Sequence, residues 1–583
     1  MWNRLNPDEG EFVNNKKIAD MFREISYILD YEGVKWKPRA YQRAAITLET
    51  LDEDVKDIYE REGIEGLINL PGIGRDLAQK IVEFLETGKI EYYEELKKKY
   101  PIDFKTITAV PGMGPKKAIR LYKILGIRTL EDLKRAAENH MIKRIRGFGE
   151  KSEQEILNGI RMLERFKDRI LLGDAYPLVM RLLDGLKSSP YVERVEVVGS
   201  FRRMRETVGD IDLLVVSDHP RKVMDLFVKL PGVSGVQVKG EKKTTVYLEI
   251  GIDCDLRVFP EESFGSAMLY FTGSKAHNIK LRKIAQDKGY KLNEYGLYER
   301  ISGKLIASRT EEEIYSVLGL SYIPPEMRED TGEVEAALEG DLPEPIEYSD
   351  VRGDTHVHSR WSDGSNEIDE IASACEELGY EYVVITDHWA AGLPVSRGLD
   401  EKKYYERKEI IESFGGEIKI IDGVEANILP NGKIDVPERI LSELTFVSAG
   451  VHSKFEMNKH DMTNRLLRAM DNEYVKVIVH PTGRIIKERE GYEFDLDKVY
   501  EKAADRGIAF EVNAYPNRLD LPPYHIRKAL EHGVKLIIGT DSHSITQLWH
   551  MTLGIGTARR GWARREDVLN TLPYKRLIDW LKK

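Results

Sequence analysis

Cysteine is scarce in this chain, and no stretch of it is uniformly apolar. Only two cysteines, Cys254 and Cys375, occur among 583 residues, which excludes a disulfide framework and a cysteine-based metal site. No apolar run reaches the ~18 residues of a membrane-spanning helix, and Met1–Arg4 lacks the apolar core of a signal peptide. We therefore expect a cytoplasmic protein without membrane contact, in which both cysteines are core residues.

Positive charge is not in excess either, and histidine is unevenly distributed. The formal net charge is −11, which by itself does not indicate a nucleic-acid-binding protein. The first 165 residues are nevertheless balanced in sign, whereas residues 326–350 are strongly acidic. Ten of the thirteen histidines follow residue 350. Since 583 residues are too many for one core, we expect about three to five domains, with a distinct chemistry in the C-terminal one.

Short Gly-x-Gly turns recur in the N-terminal third, each before a helical pattern. They are Gly72-Ile73-Gly74, Gly112-Met113-Gly114 and Gly147-Phe148-Gly149. Glycine allows close backbone approach, and free N–H groups at a helix start bind phosphate. One such turn is usually only a tight turn, but repeats in the same apolar frame are stronger evidence for phosphate binding. They resemble helix-hairpin-helix motifs; the third, where Arg146 replaces proline, is left open between DNA contact and plain turn.

A pair of aspartates follows a Gly-Ser turn in the middle of the chain. Asp210 and Asp212 lie on one face of a predicted strand, since side chains alternate along a strand. An isolated pair of this kind is more often an exposed pair on a surface strand than a metal-binding site. A further strand is predicted over Val246–Val258, with Asp253 and Asp255 on one face. Carboxylates on adjacent strands can bridge two Mg²⁺ ions for phosphoryl transfer.

The strings Gly199-Ser200-Phe201-Arg202-Arg203 and Gly209-Asp210-Ile211-Asp212 make the assignment specific. Together they resemble the nucleotidyltransferase signature of family X DNA polymerases, the polymerase beta family. The resemblance implies that Asp210 and Asp212 hold two Mg²⁺ ions with a third aspartate in an Asp-hydrophobic-Arg string. Asp255-Leu256-Arg257 matches that string. Asp253 is the competing residue and is taken as a polar neighbour on the same face.

The resemblance extends to the binding of a deoxynucleoside triphosphate. Tyr270-Phe271-Thr272-Gly273-Ser274 matches the turn that lies against the sugar, and Asn293–Leu297 matches the closing string of the thumb. The alternative for the aromatic pair is an ordinary core position. The implied nucleotide contacts are Gly199, Ser200, Arg203, Arg169, Tyr270, Phe271, Gly273 and Asn278. Arginine suits this role because its fork pairs two phosphate oxygens. Implied DNA contacts are Arg282, Gly72, Gly74, Gly112 and Gly114.

The N-terminal segment Lys37–Arg43 resembles the 5′-phosphate pocket of the same family. Lys80 falls where the family has the Schiff-base lysine that removes 5′-deoxyribose phosphate. Two departures weaken this match, because Asp76 stands where a phosphate-binding lysine is expected and Trp36 replaces a histidine. An acidic group near the pocket repels phosphate. Lyase activity at Lys80 is therefore left open against a solvated helix lysine.

The last 235 residues alternate short β-rich runs with helical runs, and each run ends in a polar cluster. This alternation predicts a barrel of parallel strands with its site at the strand C-termini. Histidines and carboxylates dominate the clusters, and these are the ligands that transition metals prefer. So many of them, each at the end of an apolar run, indicate a metal centre.

The order of these residues resembles that of the PHP (polymerase and histidinol phosphatase) domain. The resemblance implies nine ligands for three divalent ions, Mn²⁺ or Zn²⁺ with iron or cobalt as alternatives, in a distorted seven-stranded barrel. The positions are His356, His358, Asp363, His388, Glu425, His452, His480, Asp541 and His543. Asp354, Asp387 and Asn513 are expected to orient these ligands. Such a site hydrolyses phosphoesters, and beside a polymerase its substrate is expected to be a DNA 3′ end.

The sequence thus predicts a multidomain chain with all-α helix-hairpin-helix domains, an α+β palm with a small thumb, and an α/β PHP barrel. We place the N-terminal helical domain at 1–90, the second helical domain at 91–165, the palm at 166–262, the thumb at 263–322, an acidic Pro-containing linker at 323–348 and the PHP domain at 349–583. The linker is either an exposed connector or a strap along the surface. The expected partners of this monomer are gapped or primed double-stranded DNA and deoxynucleoside triphosphates.

The expected function is gap filling in DNA repair together with 3′–5′ exonuclease activity. Removal of 3′-phosphates and cleavage at abasic sites are further activities that the PHP resemblance implies. One rival interpretation is a phosphatase of the histidinol-phosphate type with an inactive palm, against which the complete set of three aspartates argues. A second is a DNA-binding scaffold in which both sites are silent, which the unsubstituted carboxylates and histidines oppose.

Overall fold

A computed structural model of the chain describes residues 13–49, 51, 54–108, 110, 112–165, 169–389 and 398–583. Met1–Arg4, Pro111 in the second hairpin and Phe166 at the predicted start of the palm lie outside these ranges. The chain forms two compact units that divide between residues 167 and 168. No helix in the described ranges is long and apolar enough to cross a membrane.

The described residues of the first unit form helices joined by turns and include no β-strand. Its helices are α1 (Val13–Tyr31), α2 (Lys37–Glu49), α3 (Val55–Ile68), α4 (Arg75–Thr87), α5 (Glu91–Lys99), α6 (Phe104–Thr108), α7 (Pro115–Leu125), α8 (Leu130–Glu138) and α9 (Glu150–Arg165). They share one apolar core, which includes Ile73, Met113 and Phe148. These three are the middle residues of the Gly-x-Gly turns, so each turn is anchored by one buried apolar side chain.

The second unit begins with the palm. Its elements are β1 (Ile170–Leu171), α10 (Leu172–Lys187), β2 (Arg194–Val198), α11 (Gly199–Arg202), β3 (Thr207–Val208), β4 (Asp210–Val216), α12 (Pro220–Phe227), β5 (Val233–Lys239), β6 (Lys243–Leu248), β7 (Asp253–Phe259) and α13 (Phe264–Thr272). Five strands form a sheet in the order β2-β4-β7-β6-β5. Only β4 and β7 pair in parallel within this sheet.

The single strand predicted over Val246–Val258 is wrong. The structure has two antiparallel strands there, β6 and β7, with Tyr247 opposite Asp253. The chain reverses at Gly251, whose φ of +85° lies in the left-handed region that glycine tolerates best. Because apolar residues flank this tight turn, the hydrophobic periodicity of the sequence does not reveal it.

The thumb and the following strap come next. The elements are α14 (Lys275–Asp287), β8 (Tyr290–Asn293), β9 (Gly296–Glu299), β10 (Leu305–Ala307), α15 (Glu311–Val317) and α16 (Glu333–Glu339). The strap is defined here as residues 323–348, and it packs closely, with Met327, Val334 and Ile346 buried. Its Arg328 is fully buried and lies 2.6 Å from Glu311, which also pairs with Arg202 of the palm at 2.6 Å.

The C-terminal part is a barrel of seven parallel strands in sequential order. The strands are β11 (Gly353–Val357), β12 (Tyr382–Ile385), β13 (Lys419–Asn427), β14 (Phe446–Gly450), β15 (Val477–Ile478), β16 (Ala509–Asn513) and β17 (Leu536–Gly539). The helices are α17 (Ile368–Glu377), α18 (Glu401–Ser413), α19 (Glu438–Leu441), α20 (Lys459–Ala469), α21 (Leu496–Arg506), α22 (Pro523–Glu531), α23 (Met551–Arg560) and α24 (Tyr574–Leu581). A bridge between Val357 and Ser542 brings the first strand to the last and nearly closes the barrel.

Both cysteines are buried, as expected from their scarcity. Cys254 lies on β7 within the palm core, and Cys375 lies on α17 within the barrel core. Burial raises the pKa of both thiols well above the ordinary value, so both are inert structural residues.

The ion cluster of Arg202, Glu311 and Arg328 gives a stability prediction. The Glu311→Gln variant leaves two arginines without their shared counter-charge, and we expect a loss on the order of 3 kcal/mol near neutral pH. Burial opposes ionisation, but Arg328 and Arg202 lower the pKa of Glu311 from 4.5 to about 2. The stabilisation is therefore present above about pH 4.5 and is lost as the pH falls toward 2.

Scanning calorimetry of the full chain measures this effect. Glu312→Gln is the matched control, because Glu312 is the exposed neighbour on the same helix. At neutral pH the Glu311→Gln variant should melt several degrees below the control. Equal melting temperatures for the two variants would contradict the assigned role of the cluster.

Candidate active sites

The predicted aspartates of the palm are brought together by the parallel register of β4 and β7. Asp210 is opposite Asp253, and Asp212 is opposite Asp255. Burial and the neighbouring charge of Asp210 raise the pKa of Asp212 from 3.8 to about 6. Crowded carboxylates of this kind are stabilised by a divalent cation, so the residues present fit the predicted Mg²⁺ site.

Asp255 is held more firmly than the other aspartates. Its carboxylate accepts hydrogen bonds from Thr245 and from Arg257, the latter at 2.6 Å, and lies 3.0 Å from Lys243 Nζ. Burial opposes ionisation, but the bonds from Thr245 and Lys243 keep the pKa of Asp255 below its ordinary value. Asp255 is therefore ionised and fixed in orientation, as a metal ligand requires.

The Gly-Ser turn lies directly against this acidic cluster. Gly199 has a φ of +68°, and a Cβ atom on it would lie only 3.2 Å from Asp212 Oδ2. The hydroxyl of Ser200 is buried and has no hydrogen-bond partner among the described residues. A free donor beside a carboxylate pair suits a phosphate group that arrives with a metal ion.

The predicted triphosphate arginines already have partners within the chain. Arg203 donates from Nε to Glu329 of the strap at 3.0 Å and also bonds the carbonyl of Thr272. Arg205 pairs with the same glutamate at 3.2 Å. Arg169 donates to the Thr207 hydroxyl at 3.1 Å. A nucleotide must therefore compete with Glu329 for the guanidinium of Arg203.

The predicted nucleotide turn forms the end of α13 and the start of α14. Tyr270 is exposed over 38% of its surface, and its carbonyl accepts a hydrogen bond from Asn278 at 2.7 Å. Phe271 is covered by Arg257 at 4.8 Å. Arg282 is exposed and donates to the Asn278 carbonyl. Of the aromatic pair, Tyr270 is the more open to a ligand.

The hairpin glycines are open on the outside of the first unit. Gly72 and Gly112 have φ values of +77° and +79°, and Gly74 and Gly114 precede the first residues of α4 and α7. A Cβ atom on Gly74, Gly112 or Gly114 would meet no other group. The backbone N–H groups at these helix starts are thus accessible to phosphate.

The third hairpin is less open than the first two, whereas several residues of the predicted lyase pocket are exposed or partly exposed. A Cβ atom on Gly147 would lie 3.0 Å from the guanidinium of Arg120. The same guanidinium donates a hydrogen bond to the Arg146 carbonyl. Lys80 lies over the Tyr92 ring at 5.5 Å. Asp76 and Trp36 are both exposed, Trp36 over 81% of its surface. Lyase activity stays a prediction that this geometry does not decide.

The nine predicted PHP ligands converge at one rim of the barrel. Three overlapping groups of these residues could each hold a metal ion, with one ligand atom from each residue. The first group shares His358 with the second and His388 with the third. The groups are His358, Asp363, His388 and His543; His356, His358 and Asp541; and His388, Glu425 and His452. His480 joins the third group, since its Nε2 lies 2.7 Å from Glu425 Oε1.

Several buried ring nitrogens make no hydrogen bond, and these residues fit divalent metal ions. His356 Nε2 and His358 Nε2 lie 3.1 Å apart. At this distance the two nitrogens cannot both carry a proton, so at least one of them is an acceptor. His480 Nδ1 is buried without a hydrogen-bond partner among the described residues. His358 Nδ1 and His388 Nδ1 also make no hydrogen bond, although Asp363 Oδ1 lies 3.6 Å from the first and Glu425 Oε2 lies 3.2 Å from the second. Buried polar atoms of this kind are costly unless a ligand satisfies them, and imidazole with carboxylate is a donor set for transition metals.

The surroundings shift the pKa values of the histidines at this rim in opposite directions. Burial lowers the pKa of His388 to about 4 and that of His480 to about 3, which keeps both neutral. Against burial, Asp363 and Asp541 raise the pKa of His543 to about 9. His388 and His452 hold the pKa of Glu425 well below its ordinary value, although burial opposes this.

The three predicted orienting residues bond near the ligands. Asn513 donates to Asp541 Oδ2 at 3.1 Å, and Asp354 accepts from the backbone N–H of His356 at 3.2 Å. Asp387 accepts from Ser362 at 2.7 Å, next to Asp363. These bonds fix the backbone and carboxylates of the rim.

Sequence reasoning missed several residues that support or line this site. Glu511 accepts from His356 Nδ1 at 2.6 Å, and buried Arg407 bonds Asp387 at 2.9 Å. Tyr515 and Arg518 line a pocket of about 220 Å³ over the ligands, with Arg518 Nε 3.4 Å from Asp541 Oδ2. The i, i+2 spacing of Glu511 and Asn513 on β16 was a signal for the first; Arg407 and Arg518 gave none.

Comparison with protein families accounts for most of the chain. A helix-hairpin-helix domain matches residues 13–90, and a SAM-like helix-hairpin-helix tandem matches residues 104–162. The DNA polymerase beta thumb matches residues 267–329, and the PHP domain matches residues 354–579. The order of the matches along the chain is the order of the structural parts described above.

Known proteins resemble the chain over different lengths. A probable phosphatase of Caldanaerobacter subterraneus is 32% identical over 33% of this chain and 75% of its own length. DNA polymerase lambda of Rattus norvegicus is 25% identical over 56% of this chain and 59% of its own length. The DNA polymerase/3′-5′ exonuclease PolX of Bacillus subtilis is 36% identical over 98% of this chain and its entire length. The chain therefore belongs to the family X DNA polymerases that carry a C-terminal PHP domain.

Proposed function

We propose that this chain is a DNA-directed DNA polymerase that fills short gaps during repair and also degrades DNA from the 3′ end. The observation that carries the polymerase assignment is the parallel register that sets Asp212 opposite Asp255, with Asp210 two residues earlier on the same strand. The Ser200 hydroxyl on the adjoining turn has no hydrogen-bond partner among the described residues. The PolX protein of Bacillus subtilis, which matches nearly the whole chain, bears both activities in its name.

In the palm, Asp210, Asp212 and Asp255 hold two Mg²⁺ ions, which neutralise charge on the attacking and leaving oxygens when bound. Ser200, Arg203 and Arg169 bind the triphosphate of the incoming nucleotide. Gly199 leaves room for Asp212. Tyr270, Phe271 and Gly273 meet the sugar. Asn278 meets the base and Arg282 the template. The order of these contacts follows the family resemblance.

In the PHP barrel, the nine ligands hold three divalent ions, Mn²⁺ or Zn²⁺, which activate water and neutralise phosphate oxygens when bound. Arg518 lies over the ligands and is partly exposed, so it binds the phosphate that is cut. Glu511 and Asn513 hold His356 and Asp541 in place. Removal of a 3′-phosphate and cleavage at an abasic site are alternative reactions of the same centre.

DNA is bound through the hairpin glycines Gly72, Gly74, Gly112 and Gly114, whose free N–H groups take backbone phosphates without reading sequence. The substrates are gapped or primed double-stranded DNA and deoxynucleoside triphosphates. The protein acts as a monomer in the cytoplasm. The palm ends near residue 262 and the PHP domain begins near residue 349.

Removing the palm carboxylates tests the polymerase assignment. Asp210→Ala/Asp212→Ala should lower primer extension on gapped DNA with Mg²⁺ by roughly three orders of magnitude, because the metal ligands are lost. Degradation of the same DNA with Mn²⁺ should stay within about twofold of the parent. Asp253→Ala is the matched control and should retain most of the extension activity. Full activity of the double variant would overturn the assignment.

Removing two predicted PHP ligands tests the nuclease assignment, and here we expect loss of degradation with extension retained. His356→Ala/His358→Ala should abolish release of nucleotides from a 3′ end and leave primer extension intact. His460→Ala, an exposed histidine on α20, should behave like the parent. Persistent degradation by the double variant would refute the assignment. Hydrolysis of small phosphate esters alone, with DNA left intact, would favour a phosphatase.

The Gly-Ser turn gives a third test. Gly199→Ala should lower primer extension by about tenfold or more, since its Cβ would press on Asp212 Oδ2 and its φ of +68° is unfavourable for alanine. Gly251→Ala is the matched control, with a φ of +85° and no group within 4 Å of the added atom. If both variants lose activity equally, backbone strain and not contact with Asp212 is responsible.

A further inference from the structure

Two loops of the barrel line one side of the PHP pocket. We define the 480s loop as residues 482–489 and the 510s loop as residues 515–521. The 480s loop contributes Ile485 to the pocket, and the 510s loop contributes Tyr515, Asn517 and Arg518. The 480s loop holds the 510s loop, since the Ile486 N–H donates to the Asn517 carbonyl at 2.6 Å. The shape of this pocket wall therefore depends on how both loops are held.

The palm, not the barrel alone, supports these loops. Ile486 and Leu519 are buried in the apolar core of the palm. Lys487 Nζ donates to the carbonyl of Arg169 at 2.6 Å. Pro516 approaches α10 so closely that a Cβ on Gly173 would lie 2.5 Å from it. Each loop thus has an apolar residue seated in the domain that carries the other active site.

One guanidinium connects the palm to the 510s loop. Arg484 lies 3.0 Å from Glu206, the palm residue just before β3. Its Nε donates to the carbonyl of Arg518 at 2.8 Å, and the same Nη2 that faces Glu206 donates to the carbonyl of Leu519 at 2.6 Å. Its side chain is only 15% exposed, and charge-assisted bonds of this kind are strong and directional.

The loops are held in conformations that they would not adopt unaided. Leu519 has a φ of +42° and Lys487 a φ of +71°, values that are unfavourable for residues other than glycine. Such residues persist where the surrounding structure over-determines them. Here the surroundings include the palm core around Leu519 and the palm carbonyl that Lys487 bonds.

We propose that Glu206 and Arg484 form a positioning pair for the nuclease site. By fixing the carbonyls of Arg518 and Leu519, the pair holds the Arg518 guanidinium over the metal ligands, where it meets the phosphate of a DNA 3′ end. This inference rests on the proposed nuclease function. It makes the substrate affinity of the PHP site depend on a residue of the polymerase palm.

The test is the Glu206→Gln variant of the full chain, assayed for release of nucleotides from a single-stranded oligonucleotide with Mn²⁺. The KM for the oligonucleotide should rise about tenfold while kcat stays within about twofold, because Arg518 contacts substrate but not the attacking water. Metal content and primer extension should equal those of the parent. Glu241→Gln, which removes an exposed palm glutamate paired with Arg221, is the matched control.

Arg484→Lys provides a second variant with the same charge. Lysine cannot reach Glu206 and two carbonyls together, so the KM should rise at least as much as in Glu206→Gln. The double variant should be no worse than Arg484→Lys alone, since the two residues act as one unit. Amide hydrogen exchange in residues 515–521 should become faster in both single variants, a readout that does not depend on turnover.

An unchanged KM in Glu206→Gln would overturn the proposal, and so would a fall in kcat accompanied by loss of metal. These results differ from a failure of the proposed function. If His356→Ala/His358→Ala still degrades DNA, the nuclease lies elsewhere whatever Glu206 does. If that variant is inactive and Glu206→Gln behaves like Glu241→Gln, only the positioning role fails.

Discussion

In both sites, side chains predicted to bind metal ions come from distant parts of the sequence and meet because the strands that carry them pair in parallel. The register of β4 with β7 puts Asp212 beside Asp255. In the barrel, seven parallel strands end at one rim, so the predicted ligands from His356 to His543 converge there. The arrangement gathers buried like charges, which is seen in the raised pKa of Asp212. A divalent cation at either cluster would relieve that cost.

The palm and the barrel are joined by more than the strap. Tyr176 of α10 stacks between Phe201, beside the Gly-Ser turn, and Trp549 of the barrel, with ring centres 5.4 and 5.3 Å apart. Arg560 of α23 donates to the Arg203 carbonyl at 3.0 Å. Each predicted active site therefore rests partly on residues of the other domain.

The sequence predicted the family and the fold class, and both are confirmed. Where a motif is local, as in the Gly-Ser turn, the paired aspartates and the histidines at strand ends, the sequence predicted side chains that the structure brings together. It failed where the outcome depends on a distant partner. The residues around Arg203 do not indicate that it pairs with Glu329 of the strap. Arg484 likewise pairs with Glu206 across almost 280 positions. The turn at Gly251 was missed because apolar residues flank it. The domain boundaries and residue roles stay predictions.

Anomalous diffraction from crystals grown with Mn²⁺ and a deoxynucleoside triphosphate tests the central claim most directly, because it locates every bound ion. We predict anomalous peaks among the nine PHP ligands, and a separate pair of peaks between Asp210, Asp212 and Asp255 with the triphosphate against Ser200 and Arg203. Peaks in only one cluster, or a triphosphate bound away from the Gly-Ser turn, would contradict an enzyme with two metal-dependent active sites.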